Sequence, residues 1–127
     1  MSVKRLHHVS LIVADTDRSL AFYHGLLDLE VASNRPELGY RGAWLQLGEA
    51  QIHLMELPNP DPLENRPAHG GRDRHLAVMV DDFETLIQRL EVHNIAYTLS
   101  LSGRRALFCR DPDQNAVEII AAPTETP

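Results

Sequence analysis

The chain repeats itself, and the repeat dictates what it can fold into. Leu6-His7-His8-Val9-Ser10-Leu11-Ile12-Val13-Ala14-Asp15 reads like Arg74-His75-Leu76-Ala77-Val78-Met79-Val80-Asp81-Asp82. His8 stands seven residues before Asp15, and His75 stands seven before Asp82. Each half then passes through a helix-like segment and closes on an apolar strand with one polar intruder. These closing strands are Gln51-Ile52-His53-Leu54-Met55 and Ala116-Val117-Glu118-Ile119-Ile120. The two spans agree closely, at 45 residues from His8 to His53 and 43 from His75 to Glu118. Two copies of one unit related by pseudo-symmetry are expected to bring His8, His53, His75 and Glu118 together.

Local pattern supplies the units. Val9, Leu11 and Val13 alternate with His8, Ser10 and Ile12, the period of a strand. Asp15 and Asp17 are N-cap candidates for a helix over about 16–27, with Leu20, Tyr23 and Leu27 on one stripe. Strands are predicted over 29–34, 41–47 and 51–57, the last two as a hairpin about Gly48-Glu49-Ala50. Pro58, Pro60, Pro62 and Pro67 exclude a helix or strand interior and mark a linker running through Gly70-Gly71. The order then repeats. A strand over 75–80 leads into a helix capped by Asp82 with Phe83, Leu86, Ile87 and Leu90 on its face, ended near His93-Asn94. Strands follow over 96–101, 105–110 and 116–121. The expected architecture is α+β, a single domain of paired βαβββ modules forming a half-open barrel. Module one covers about 5–57, the linker about 58–72 and module two about 73–121.

Parity sharpens the site. Successive strand side chains face opposite sides of a sheet, and Val9, Leu76, Ile52, Leu54, Val117 and Ile119 flank the four candidates. One face is expected to pack on helices while the other carries polar groups into a cavity. Two imidazoles and one carboxylate leave coordination positions open, which suits Fe, Mn, Ni or Zn. His8, His75 and Glu118 form that set, with His53 as a fourth ligand or an acid/base beside it. Glu118 is the strongest element of the argument. A carboxylate inside Val-Glu-Ile-Ile needs a cation nearby, either a metal or an Arg such as Arg105.

Composition bounds the alternatives. The 127 residues suffice for one domain with a real core. A net charge of −6 without a basic arm argues against a nucleic-acid partner. No apolar run approaches the ~18 residues of a membrane span, and no signal peptide is evident. One cysteine, Cys109, rules out an intrachain disulfide and fits a reducing compartment, so a cytoplasmic location is expected. It reads as a buried apolar residue, since no paired base is evident.

These motifs resemble the vicinal oxygen chelate superfamily of glyoxalase I, bleomycin-resistance proteins, fosfomycin-resistance enzymes and extradiol dioxygenases. The carriers are His8 through Asp15, Arg18-Ser19-Leu20-Ala21-Phe22-Tyr23, His75-Leu76-Ala77-Val78 and Asp111-Pro112-Asp113-Gln114-Asn115-Ala116-Val117-Glu118-Ile119. The resemblance implies His8, His75 and Glu118 as metal ligands, with position 53 where glyoxalase I places a Glu or Gln. It implies a homodimer acting on a small-molecule substrate that chelates the ion through neighbouring oxygens. Glyoxalase-like lyase or isomerase chemistry is expected, with Glu118 and His53 as the catalytic pair. The alternatives are an Fe(II) extradiol-type dioxygenase and a non-enzymatic drug-binding resistance protein. Three departures stand out: His53 itself, Gln114 where the turn normally has Gly, and Asp28 where Leu-Gly-Leu is usual.

Several neighbours remain open from sequence. The segment His69-Gly70-Gly71-Arg72-Asp73-Arg74 reads as a solvated linker, with a mobile lid as the alternative. Of Arg104 and Arg105, at most one faces the cavity. Trp44 and Phe108 read as core or pocket wall, and His7 is expected to face away from His8.

Overall fold

The structure is a computed structural model and describes residues 1–123. The chain divides into two compact units, Met1–Asp61 and a second beginning at Pro62. The boundary falls inside the proline-rich segment.

In the first unit, β1 (His8–Val13) is followed by α1 (Thr16–Leu20), β2 (Glu30–Val31), β3 (Gly42–Leu47) and β4 (Ala50–Glu56). The sheet order is β1-β4-β3-β2, with β1 parallel to β4 and the other pairs antiparallel. Asp15 caps α1 by accepting from the Arg18 amide at 3.0 Å. The helix expected through residue 27 does not stay α-helical. Over Ala21–Leu26 it widens, and the Leu27 amide donates to Phe22 O, five residues back, at 3.0 Å. The wider turn buries Phe22 and Tyr23 together. The buried face is therefore Thr16, Ser19, Phe22, Tyr23 and Leu26 rather than the predicted Leu20, Tyr23, Leu27 stripe. The strand predicted over 29–34 shortens to two residues.

The second unit repeats the order: β5 (His75–Val80), α2 (Phe83–Val92), β6 (Tyr97–Leu99), β7 (Ala106–Arg110) and β8 (Ala116–Ala121). Its sheet runs β5-β8-β7-β6, again with only the first pair parallel. Asp82 caps α2 by accepting from the Thr85 amide at 3.0 Å. The helix turns Phe83, Leu86 and Leu90 inward and ends before Asn94, whose φ of 55° is the left-handed conformation expected there. Neither sheet closes on itself. This is the α+β, paired βαβββ arrangement that the repeat predicts.

The linker carries structure of its own. Gly70–Arg72 forms one tight 3-10 turn. The Asp73 carboxylate accepts from Arg110 at 2.8 Å and lies 3.6 Å from Arg66, while Arg110 also donates to Pro67 O and Gln114 O. A Cβ on Gly70 would stand 3.1 Å from the Phe108 Cβ, and one on Gly71 would stand 3.0 Å from its Cζ. Glycine lets this backbone lie directly on the Phe108 ring. The segment is thereby tied down at Gly70 and Asp73, while Gly71, Arg72 and Arg74 are exposed, as a solvated linker would have them.

Candidate functional site

The repeat holds at the level of register. In the first unit Ser10 pairs with His53 and Trp44 pairs with His53; in the second Ala77 pairs with Glu118 and Phe108 pairs with Glu118. His53 and Glu118 occupy equivalent central positions. His8 and His75 each stand two residues before the partner of that position on the neighbouring edge strand. Strand parity puts His8 on the His53 face and His75 on the Glu118 face. Beneath, Leu45, Ile52 and Leu54 are fully buried on one sheet, as are Leu107, Val117 and Ile119 on the other.

On the first unit, His53 is 8% exposed and lies between two rings. The His8 ring stacks on it with centroids 4.0 Å apart and planes at 15°, and Trp44 stacks on it at 4.1 Å and 5°. Its tautomer follows from a chain of amides. Gln46 Nε2 donates to Gly48 O at 2.8 Å, so Gln46 Oε1 accepts from Gln51 Nε2 at 2.9 Å. Gln51 Oε1 must then accept from His53 Nε2 at 2.8 Å. The neutral ring thus carries its proton on Nε2 and its lone pair on Nδ1. Burial, reinforced by His8, His7 and Arg35, lowers the His53 pKa and favours that neutral form.

The stack also limits coordination. An imidazole lone pair lies in the ring plane, and a metal sits ~2.0–2.1 Å from it. Two nearly parallel rings stacked in this way do not both aim a nitrogen at one ion. His7 departs from expectation: its Nδ1 lies 2.9 Å from His8 Nδ1. β1 begins at His8, so alternation does not yet govern residue 7. When His8 donates in this bond, its Nε2 lone pair is free.

On the second unit, Glu118 is 3% exposed between the buried Val117 and Ile119. Arg104 Nη2 lies 2.9 Å from Oε1 and 3.5 Å from Oε2. His75 Nε2 lies 3.9 Å from Oε2. The other His75 nitrogen, Nδ1, is 2.9 Å from Asp73 O, and a carbonyl only accepts, so Nδ1 holds the proton. In the neutral ring the lone pair is then on Nε2, on the side of the carboxylate. Phe108 fixes the ring from its edge, at 5.1 Å and 90°.

The cation on Glu118 is therefore Arg104, not Arg105. Arg105 pairs with Glu84 and lies over the Phe83 ring at 5.0 Å. Arg104 shares the parity of Ala106 and Phe108, and Phe108 is the strand partner of Glu118; only the register, absent from the sequence, distinguishes the two arginines. The Gln46–Gln51 chain also escaped the sequence reading. Its signal was present, since both glutamines have the parity of Trp44 and His53 across the predicted hairpin.

Among the described residues, no three or more His, Cys, Asp or Glu side chains already stand in a group that could hold a metal ion. The donors stand in pairs, His8 with His53 and His75 with Glu118. Their chemistry fits a divalent transition ion. Both pairs offer nitrogen or carboxylate oxygen, and the Asp73 carbonyl orients His75 as outer partners orient metal-bound histidines.

Comparison with known proteins places the chain in a family. The chain belongs to the Glyoxalase/Bleomycin resistance protein/Dioxygenase superfamily, whose family model matches residues 5–119. It is 32% identical over 120 residues to glyoxylase I 4 of Arabidopsis thaliana, covering 90% of this chain and 68% of that one. It is 30% identical over 129 residues to lactoylglutathione lyase of Salmonella typhimurium, covering 93% of each. A mutant of the fosfomycin resistance protein FosX from Listeria monocytogenes, complexed with Mn(II) and 1S,2S-dihydroxypropylphosphonic acid, superposes with a TM-score of 0.74. That likeness is at 18% identity and covers 96% of this chain and 95% of the other. Among the described residues, no helix is long and apolar enough to cross a membrane.

Proposed function

We propose that the protein is a metal-dependent enzyme of the glyoxalase type, a lyase or isomerase acting on a small substrate with two neighbouring oxygens. His8, His75 and Glu118 would hold a divalent ion, Ni, Zn, Mn or Fe, with His53 beside it. The observation that carries the reading is the His75–Glu118 pair. A carboxylate buried in an apolar strand stands 3.9 Å from an imidazole nitrogen whose lone pair a backbone carbonyl keeps available. When bound, a divalent ion supplies Lewis acidity to a substrate that chelates it.

The chain's own residues do the rest. His53, neutral and with Nε2–H committed to Gln51, has Nδ1 as the nitrogen that can take up and return a proton. The stack that disfavours His53 as a co-ligand of His8 suits this acid/base role. Trp44 and Phe108, strand partners of His53 and Glu118, each set an apolar ring beside the polar group of their own sheet. The names of the lyase relatives support the same class of chemistry. We place the enzyme in the cytoplasm as a homodimer, in keeping with its single buried thiol.

One observation favours a second reading. Arg104 already neutralises Glu118, as a resistance-type binding protein working without a metal would require. The test loads apo protein separately with Ni(II), Zn(II), Mn(II) and anaerobic Fe(II), then offers hemithioacetals of methylglyoxal, or catechols with air. Oxygen-independent turnover of hemithioacetals is expected. Turnover of catechols only, with Fe(II) and oxygen, would replace the isomerase by a dioxygenase. Tight binding of aromatic ligands with no turnover would favour the binding protein.

A further inference from the structure

We infer that Arg104 is a built-in counter-ion of Glu118 that must leave when a metal is bound, and that it thereby sets the metal affinity. The inference rests on the metal-binding reading above. A carboxylate 3% exposed between Val117 and Ile119 cannot stay charged without a cation. Arg104 meets that need through one guanidinium nitrogen, at 2.9 and 3.5 Å from the two oxygens.

The arginine is held loosely in every other respect. Its side chain is 57% exposed. It sits between β6 and β7 in a loop that the Ser100 amide closes on Ala106 O at 2.9 Å, with Ser100 Oγ 2.7 Å from Ser102 Oγ and the Arg104 amide 3.5 Å from Ser102 Oγ. Gly103, at φ +88°, has open space where a Cβ would be. The next residue is anchored instead, since Arg105 is committed to Glu84 and Phe83 and its carbonyl accepts from the Ala121 amide at 2.9 Å. The backbone is thus fixed at 105 while the 104 side chain has room to withdraw.

Two cations cannot both have the carboxylate cheaply. The guanidinium stands on Oε1, and a divalent ion on Oε2, the oxygen nearer His75, would lie within a few ångström of it. Like charges at that distance repel, less where solvent reaches the guanidinium. Binding of the ion therefore includes the cost of breaking the Arg104–Glu118 pair. A long, exposed side chain on a pliable loop can be expelled; a buried one could not.

The experiment is calorimetric titration of Mn(II) and Ni(II) into metal-stripped wild type, Arg104→Gln and Arg104→Lys, with melting temperatures before and after addition. Arg104→Gln should bind about tenfold more tightly or better. It should also melt lower than wild type without metal and gain more on saturation. Arg104→Lys should fall between, because a point charge cannot reproduce the guanidinium geometry. The lysine variant preserves the charge and so keeps the test valid if the glutamine variant fails to fold. Wild type that binds metal with an affinity unchanged or weakened in both variants would overturn the inference and leave the metal reading standing. Absence of binding in all three proteins would overturn both.

Discussion

At the scale of single residues, the two polar groups at the centres of the strands are held in opposite ways. Burial first, then His8, His7 and Arg35, lowers the His53 pKa, and two glutamines set its tautomer. Glu118 is paired with Arg104 at 2.9 Å. Cys109 is another buried ionisable group, and it is passive. Burial, with Asp111 nearby, pushes its pKa from 9.0 to about 12. The sign of the linkage follows: the contribution to stability is complete below pH 9.0 and is lost as pH rises through the folded value. At pH 8 the thiolate fraction in the folded protein is about 1,000-fold below that of the unfolded chain. Labelling by a thiol reagent should therefore be slower than in denaturant by at least that factor. Comparable rates in the two states would show that the thiol is not buried.

At the scale of elements, the sequence was most legible where period and cap agreed. β5, α2 and β8 were predicted with the residues they have, because an alternating or 3.6-period run is bounded by Asp82, Asn94 or the Asp111–Asn115 turn. α1 was not, since the widened turn at Ala21–Leu26 depends on how Phe22 and Tyr23 bury together. The candidate site was legible as two equivalent pairs, because the repeat itself marks His8 against His75 and His53 against Glu118. The partners of those pairs were not, since Arg104, Gln46, Gln51 and the Asp73 carbonyl act through register and rotamer. The departures from the family's glycines are informative here. Asp28 and Gln114 have φ of 59° and 68°, so the chain keeps a glycine conformation without glycine. Asp tolerates this region better than Gln. The hydrogen bonds at Gln114 are made by its backbone, to Asp111 O and from Arg110, so Gln114→Gly keeps them. It should raise stability by ~1 kcal/mol in chemical denaturation, and Asp28→Gly by less. A destabilised Gln114→Gly would mean that its side chain contributes more than the strain costs.

At the scale of the whole molecule, the chain is a duplication. One βαβββ plan, used twice, puts a histidine at the start of each edge strand and a polar group at the centre of the strand beside it. One copy ends in an imidazole and the other in a carboxylate, so the pairs differ in charge while matching in place. Nitrogen donors and an anionic oxygen are both ligand types that divalent transition ions accept. The most direct test is elemental analysis of protein purified without an affinity tag, wild type beside His75→Ala, both checked for folding by circular dichroism. The account predicts on the order of one divalent transition ion per chain in wild type and none retained by the variant. A folded His75→Ala protein that keeps the wild-type metal content would contradict it.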